Sequence, residues 1–238
     1  MKIEVWSDFV CPFCYIGKRH LEEALKSLPD VSQVTIDYKS FELDPHSPKD
    51  SDGDIHASLA KKFGVSYEQA KAMNDRMTEQ AKEAGLTYHF DTMIPTNTFD
   101  AHRLMHYAES FGKKAEMTER LLKAYFTDSK HIGDHETLSI LAEEVGLNKE
   151  DVQAMLTGTD YADVVRQDEQ EAQQLNVQGV PFFVINRKYA ISGAQPIEVF
   201  SNALKKVHQE EQPLMVLNET TDEAICADGS CQIPTKSK

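Results

Sequence analysis

The 238-residue sequence predicts an α/β fold interrupted by a large inserted all-helical subdomain, on three observations. The chain opens with a β-prone run, an amphipathic helix and an alternating strand, giving β-α-β. A long middle stretch then carries only helical periodicity. Two short β-type runs and a last amphipathic helix close the order as β-β-α.

Each element has a local reason. Residues 2–9 are short, β-prone and mostly alternating, and they lead into Cys11-Pro12-Phe13-Cys14. From residue 15 the pattern is helical, with Leu21, Ala24, Leu25 and Leu28 on one side. Pro12 suits the first helical position, where its missing N–H has no intrahelical partner to lose. Cys11 then stands at the helix N-terminus, where unpaired backbone donors and the positive end of the dipole favour a thiolate. Cys14 follows one turn inside, within reach of a mixed disulfide formed on Cys11. The pair has the chemistry of a dithiol/disulfide switch.

After a break at Pro29-Asp30, residues 34–43 alternate as a strand, with Val34, Ile36 and Tyr38 on one face. Residues 44–54, rich in Pro, Ser, Asp and Gly, read as a surface loop. Helical spacing dominates 55–176: Ala101, Leu104, Met105 and Ala108 repeat at i, i+3, i+4 and i+7, as do Leu138, Leu141, Ala142 and Val145. Asp134 is a candidate cap for the second of these helices and Gly146 its stop, with further boundaries at Gly85 and Gly112. Strands return at 181–185 and 189–192 around a turn at Asn186-Arg187-Lys188. Pro196 opens a helix bearing Val199, Phe200, Ala203, Leu204 and Val207. The division expected is 1–54 with 177–208 for the α/β part, 55–176 for the insertion, and 209–238 for an acidic extension carrying Cys226 and Cys231.

A lone C-x-x-C is also half of a zinc site. The second signal is Gly179-Val180-Pro181-Phe182-Phe183-Val184-Ile185, an apolar run that begins with the proline a strand start tolerates. With these two motifs in hand, the chain resembles the DsbA branch of the thioredoxin superfamily, and within it the FrnE-like group. The matching stretches are residues 8–17, Pro95-Thr96-Asn97-Thr98 with Ala101-His102-Arg103-Leu104, residues 178–184, and residues 191–196. Asn176 stands where relatives often carry glycine, and asparagine tolerates the same left-handed helix end.

The resemblance implies a thioredoxin-like fold and a thiol–disulfide oxidoreductase that uses no cofactor. Cys11 and Cys14 would be catalytic. Pro12, Phe13, Val180 and Pro181 would bind substrate, with Pro181 a cis proline beside the cysteines. Electrons would flow to or from protein or low-molecular-weight thiols and disulfides. DsbA proteins with histidine at the position of Phe13 gain a donor that stabilises the thiolate of the reduced form, so this chain is expected to be less oxidising than a dedicated disulfide donor. Some relatives carry a second C-terminal cysteine pair. Cys226 and Cys231 are accordingly read as a secondary redox pair, regulatory or shuttling, set against an inert local disulfide.

Two other function classes stay open at this stage. One is a glutathione-dependent isomerase or transferase of the hydroxychromene-carboxylate isomerase or kappa type, whose members typically carry serine at the position of Cys11. The other is a non-enzymatic zinc module built on Cys11, Cys14, Cys226 and Cys231. A formal charge of −14 and a pI near 5.0 argue against nucleic acid or an anionic membrane as partner. No apolar run approaches the roughly 20 residues that cross a bilayer. Nor do the first residues hold the uninterrupted stretch of about 7–15 apolar residues of a secretory signal, so a cytoplasmic location is expected.

The remaining polar residues have plainer expectations. Asp8 is a candidate proton relay, weighed against a strand-end carboxylate in water. Asn97 and Arg103 are candidates to face the cysteines, with helix capping by Asn97 or Thr96 the alternative. His102/His106 and His131/His135 share an i, i+4 spacing but no H-E-x-x-H, and read as surface histidines, not metal ligands. Met73 and Met77 read as core.

Overall fold

The computed structural model describes residues 1–50 and 53–211, and holds a four-stranded sheet with nine α-helices among the described residues. The strands run β2-β1-β3-β4 across the sheet. β1 (Lys2–Ser7) lies parallel to β2 (Thr35–Ser40) and antiparallel to β3 (Phe182–Ile185), which pairs antiparallel with β4 (Tyr189–Ser192). The parallel pair is joined through α1 (Pro12–Leu25), the crossover such a pair requires. The antiparallel pair needs only a tight turn, in which Asn186 and Arg187 are left-handed and the Lys188 N–H returns to the Ile185 carbonyl at 3.0 Å.

Period-two alternation sends the strands' side chains to two cores. Ile3, Val5, Phe183 and Ile185 share one buried cluster with Leu21 of α1 and with Phe200 and Leu204 of α9 (Ile197–Glu211), where Phe183 meets Phe200 edge-on at 4.8 Å. Trp6 and Val184 point the other way, against Ala172 and Val177. The Trp6 indole N–H donates to the Asp168 carbonyl of α8 (Ala162–Gln174) at 2.9 Å, so the one tryptophan is buried without an orphaned donor.

β2 is shorter than the alternation suggests. Its last pairing is Ser7 with Ser40, where β1 ends, and Phe41 to Leu43 leave the sheet for want of a partner. Pro181 precedes β3 instead of opening it, and the Val180–Pro181 peptide is cis. Asn176 is left-handed at φ +55°, as the helix-end reading required. α9 continues past residue 208 to Glu211.

Between the halves run α2 (Ile55–Phe63), α3 (Tyr67–Glu83), α4 (Phe99–Glu109), α5 (Lys114–Phe126), α6 (His135–Glu144), α7 (Lys149–Thr157) and α8. Their ends follow the sequence. The Asp134 side chain accepts the Thr137 N–H at the start of α6, and Gly146 follows its end at φ +86°. Ser66 and Gln69 form a reciprocal capping box on α3. The chain is thus a thioredoxin-like α/β fold with a helical insertion, and the insertion packs onto the same apolar core as the sheet.

Candidate active site

Cys11 is the N-cap of α1, with extended backbone angles, and Pro12 occupies the first turn. Cys11 is only 4% exposed, yet it lines a large cavity, and its Sγ–H donates to the Val180 carbonyl at 3.4 Å. That contact joins the two sequence motifs, 169 residues apart. Gly17 of α1 sits over the same proline: a Cβ built there would lie 3.0 Å from the Pro181 ring and 3.1 Å from the Phe183 ring. Glycine is what allows the helix this close to Pro181. Phe13 stands at the cavity mouth, 43% exposed.

Cys14 lies behind Cys11. Its sulfur accepts the Asp8 N–H at 3.4 Å, and both thiols are free. Burial pushes the Cys14 thiol well above its ordinary pKa, and the adjacent Cys11 raises it further, against partial relief from Ser7 and the Asp8 amide. Cys14 therefore stays protonated while Cys11 meets the cavity. The arrangement is suited to two-step thiol exchange, with one sulfur reached from outside and the other shielded until a disulfide forms in front of it.

Helical residues from the insertion hold α1 in place. The Tyr88 hydroxyl donates to the Pro12 carbonyl at 2.8 Å, and its ring stacks on Phe126 at 4.5 Å. Burial, then the charge of Cys11, raises the Tyr88 pKa, so it remains a hydrogen-bond donor. Glu119 of α5 takes hydrogen bonds from the Tyr15 hydroxyl (2.6 Å), Lys18 (2.5 Å) and Arg19 (2.5 Å) on α1. Burial alone would raise the Glu119 pKa, but these cations outweigh it and bring the carboxylate down to about 2.

Several side chains lie elsewhere than the sequence suggested. Asp8 is not a strand-end carboxylate in water: it is fully buried, one oxygen accepting the Leu43 N–H at 2.7 Å and the other 3.4 Å from His102 Nε2. His102 and His106 are not surface histidines. Both are buried, His102 against the Phe9 ring at 4.7 Å and His106 between Ser40 Oγ (2.9 Å) and Asp168 (3.0 Å). Arg103 does not face the cysteines. Its guanidinium donates to the carbonyls of Met155, Leu156, Gly158 and Asp160 at and beyond the end of α7, and to Asp100. Asn97 accepts the Phe99 N–H at 2.9 Å, while the N-cap position of α4 falls to Thr98, which makes no side-chain cap bond, and not to Asn97 or Thr96. His131 bonds the Lys49 carbonyl, and His135 bonds Asp100.

Met73 is exposed instead of in the core, Met77 is partly buried against the core, and both line the cavity with Cys11. Its volume is about 900 Å³. α2 and α3 form one wall and Cys11 to Phe13 another, with Phe90, Met93, Tyr125 and Phe126 contributing apolar surface. Helical periodicity shows which face of α3 is apolar, but not whether protein or a groove lies against it. Cys226 and Cys231 lie outside the described residues.

Sheet order, a cysteine-capped first helix and a proline-led third strand together define a thioredoxin-type protein with a dithiol at its first helix. The family model for the DSBA-like thioredoxin domain matches residues 2–205, and the chain belongs to that family of thiol–disulfide oxidoreductases. A probable DsbA oxidoreductase from Streptomyces coelicolor, SCO1869, is similar over 99% of this chain and all of its own, at 40% identity and a TM-score of 0.85. YwbO of Bacillus subtilis, an uncharacterized protein, is 31% identical over 204 residues, covering 85% of this chain and 94% of its own. The cytosolic disulfide reductase DsbM from Pseudomonas aeruginosa, in its structure with GSH, shares the fold at a TM-score of 0.64 and 15% identity, over 88% of this chain and 100% of its own. Among the described residues, no helix is long and apolar enough to cross a membrane.

Proposed function

We propose that this chain is a FrnE-like thiol–disulfide oxidoreductase that works in the cytoplasm on protein or low-molecular-weight disulfides through Cys11 and Cys14. The observation that carries the reading is the placement of the two sulfurs: Cys11 on the cavity wall against the Val180 carbonyl, Cys14 behind it with a raised pKa. In the reducing direction, the Cys11 thiolate attacks one sulfur of a substrate disulfide. The substrate S–S bond breaks, one thiolate leaves, and a mixed disulfide forms on Cys11. Cys14 loses its proton and attacks the Cys11 sulfur, releasing the second substrate thiolate. The substrate gains two electrons, and the protein is left with a Cys11–Cys14 disulfide. The reverse sequence oxidises a dithiol.

Pro12, Phe13, Val180 and Pro181 form the surface against which the substrate lies beside Cys11. Support comes from the exposed Phe13 ring and from the close packing of Gly17 on Pro181, which fixes that residue relative to the helix. The test is insulin reduction coupled to dithiothreitol. Cys11→Ser is expected to abolish it, and Cys14→Ala to accumulate slowly resolving adducts on Cys11, detectable by mass. Undiminished reduction by the Cys11→Ser protein would overturn the assignment.

A further inference from the structure

The cavity beside Cys11 is larger and differently charged than exchange with a small disulfide requires. Its volume of about 900 Å³ is near the top of the roughly 300–1,000 Å³ range of small-ligand sites. Of the eleven large apolar side chains exposed among the described residues, four line this one cavity: Phe13, Leu43, Phe63 and Met73. Scattered single exposed apolar residues are ordinary on a protein surface, whereas a cluster around one opening marks a contact site. Met73, Met77 and Met93 add unbranched, polarisable side chains that adapt to differing partners.

The polar lining points to the partner's charge. Lys61, Lys62 and Arg76 line the cavity and make no ion pair among the described residues. Most other lysines and arginines are matched to carboxylates, Lys71 and Lys82 on the same α3 helix included. Lys61 and Lys62 sit in the last turn of α2, where they complement the helix dipole; Arg76, in the middle of α3, has no such use. Two carboxylates also line the cavity, and both are engaged by backbone: Asp8 by the Leu43 N–H and Asp44 by the His46 N–H. In a chain of charge −14, three cations with no ion pair among the described residues outnumber the two carboxylates of the lining, and around an apolar opening they form a local attraction that opposes the general repulsion of anions.

We propose that this groove selects polypeptide segments in which the reacting cysteine is flanked by a large apolar side chain and by carboxylates. The apolar side chain enters between Phe63 and Met73, the carboxylates meet Lys61, Lys62 and Arg76, and the cysteine sulfur is brought to Cys11. This rests on the reading of Cys11 as the attacking thiol.

The test uses the reduced full-length protein and mixed disulfides of cysteine peptides with 2-nitro-5-thiobenzoate. Cys11 bonds to the peptide sulfur and nitrothiobenzoate leaves as the coloured thiolate, so a single turnover is read directly. Four probes are compared: a Phe-Cys peptide with two glutamates, the same with two lysines, the glutamate form with Ala for Phe, and the glutathione adduct. At low salt the glutamate peptide is expected to react about tenfold faster than the lysine peptide, within the range of electrostatically steered association. That ratio should fall toward one in molar salt, where exposed charges are screened, and in the Lys61→Gln/Lys62→Gln/Arg76→Gln protein. Exchanging Phe for Ala in the peptide should slow wild type several-fold more than it slows Phe63→Ala.

A glutamate-to-lysine ratio near one in wild type, or one that survives the triple substitution, overturns the proposal. So does a glutathione adduct that outruns both peptides, or loss of peptide turnover through self-association at high protein concentration. No nitrothiobenzoate release from any probe, or equal release by Cys11→Ser, would instead sink the reading of Cys11 itself. Rapid release without peptide preference sinks the groove alone.

Discussion

Replacing Arg103 with Met separates a structural role from a catalytic one. The Arg103 side chain is 3% exposed and makes five hydrogen bonds: to the carbonyls of Met155 (2.8 Å), Leu156 (3.2 Å), Gly158 (2.8 Å) and Asp160 (2.8 Å), and to Asp100 (2.8 Å). Carbonyls at the end of a helix lack the usual intrahelical donor; here the Leu156 carbonyl takes the guanidinium, and the Met155 carbonyl shares it with the Gly158 N–H at 3.2 Å. Methionine fills the stem's volume but donates nothing, so four carbonyls lose a partner. Asp100 keeps Lys49 and His135. At about 1.5–3 kcal/mol for each hydrogen bond to a charged group the simple sum over four carbonyls is about 6–12 kcal/mol, as large as the whole stability of many domains. The bonds share one cation and are not additive, so the cost of breaking a buried pair, about 3–5 kcal/mol, is the better guide. For a chain of this length that corresponds to a fall in Tm of about 6–20 °C. Thermal and urea unfolding measure the loss, and insulin reduction well below the mutant's transition measures exchange per folded molecule, expected to stay near wild type. A Tm within 2 °C of wild type, together with a large loss of exchange, would return Arg103 to the neighbourhood of the cysteines and refute the reasoning.

Two further outcomes follow from α1. The Glu119 carboxylate is held at about 2 against an ordinary 4.5, so its contribution to stability is complete above pH 4.5 and disappears as pH falls through 2. The full displacement corresponds to about 3 kcal/mol, and with a third of the side chain in water about 1–2 kcal/mol is expected. Between pH 5 and 2, wild type should therefore lose more stability than Glu119→Gln by that amount, and parallel acid-unfolding curves would contradict it. Phe13→His should make the Cys11/Cys14 pair more oxidising, because the imidazole supplies a donor to the reduced thiolate. One such bond, at about 1.5–3 kcal/mol, corresponds to roughly 30–65 mV, and equilibration with glutathione buffers showing an unchanged potential would refute it.

What could be read from the sequence was what local geometry dictates. Pro12 after Cys11, Asp134 three residues before Thr137, Asn176 at a helix end and the β3–β4 turn each announce a backbone conformation whatever surrounds them. Pairing partners and burial are tertiary facts. Residues 41–43 alternate like a strand, yet β1 ends at Ser7 and offers them no neighbour. Asp8, His102 and His106 have polar side chains and no sequence mark of burial. They are enclosed because α4 brings His102 to Asp8, just past the end of β1, and His106 to Ser40, at the end of β2. Arg103 shares a family-like segment with His102, but one residue further round the helix it points to α7 and not to β1.

The same limit explains the polar face of α1. Tyr15, Lys18, Arg19 and Glu22 recur at helical spacing opposite the apolar side, a pattern that in an isolated domain marks the solvent face. Here three of the four donate to Glu119 of α5, and Glu22 closes the cluster from its own helix through Lys18 and Arg19. Tyr88 reaches the first turn of α1 at Pro12, beside Cys11, while Glu119 holds the second. The insertion therefore grips the cysteine-bearing helix at two levels and supplies Met73, Met77, Tyr125 and Phe126 to the cavity in front of it. A thioredoxin-like sheet alone would present Cys11 on an open surface. With the insertion clamped to α1, Cys11 faces a walled groove, and most of the side chains that line it come from the insertion, from Ile55 to Phe126.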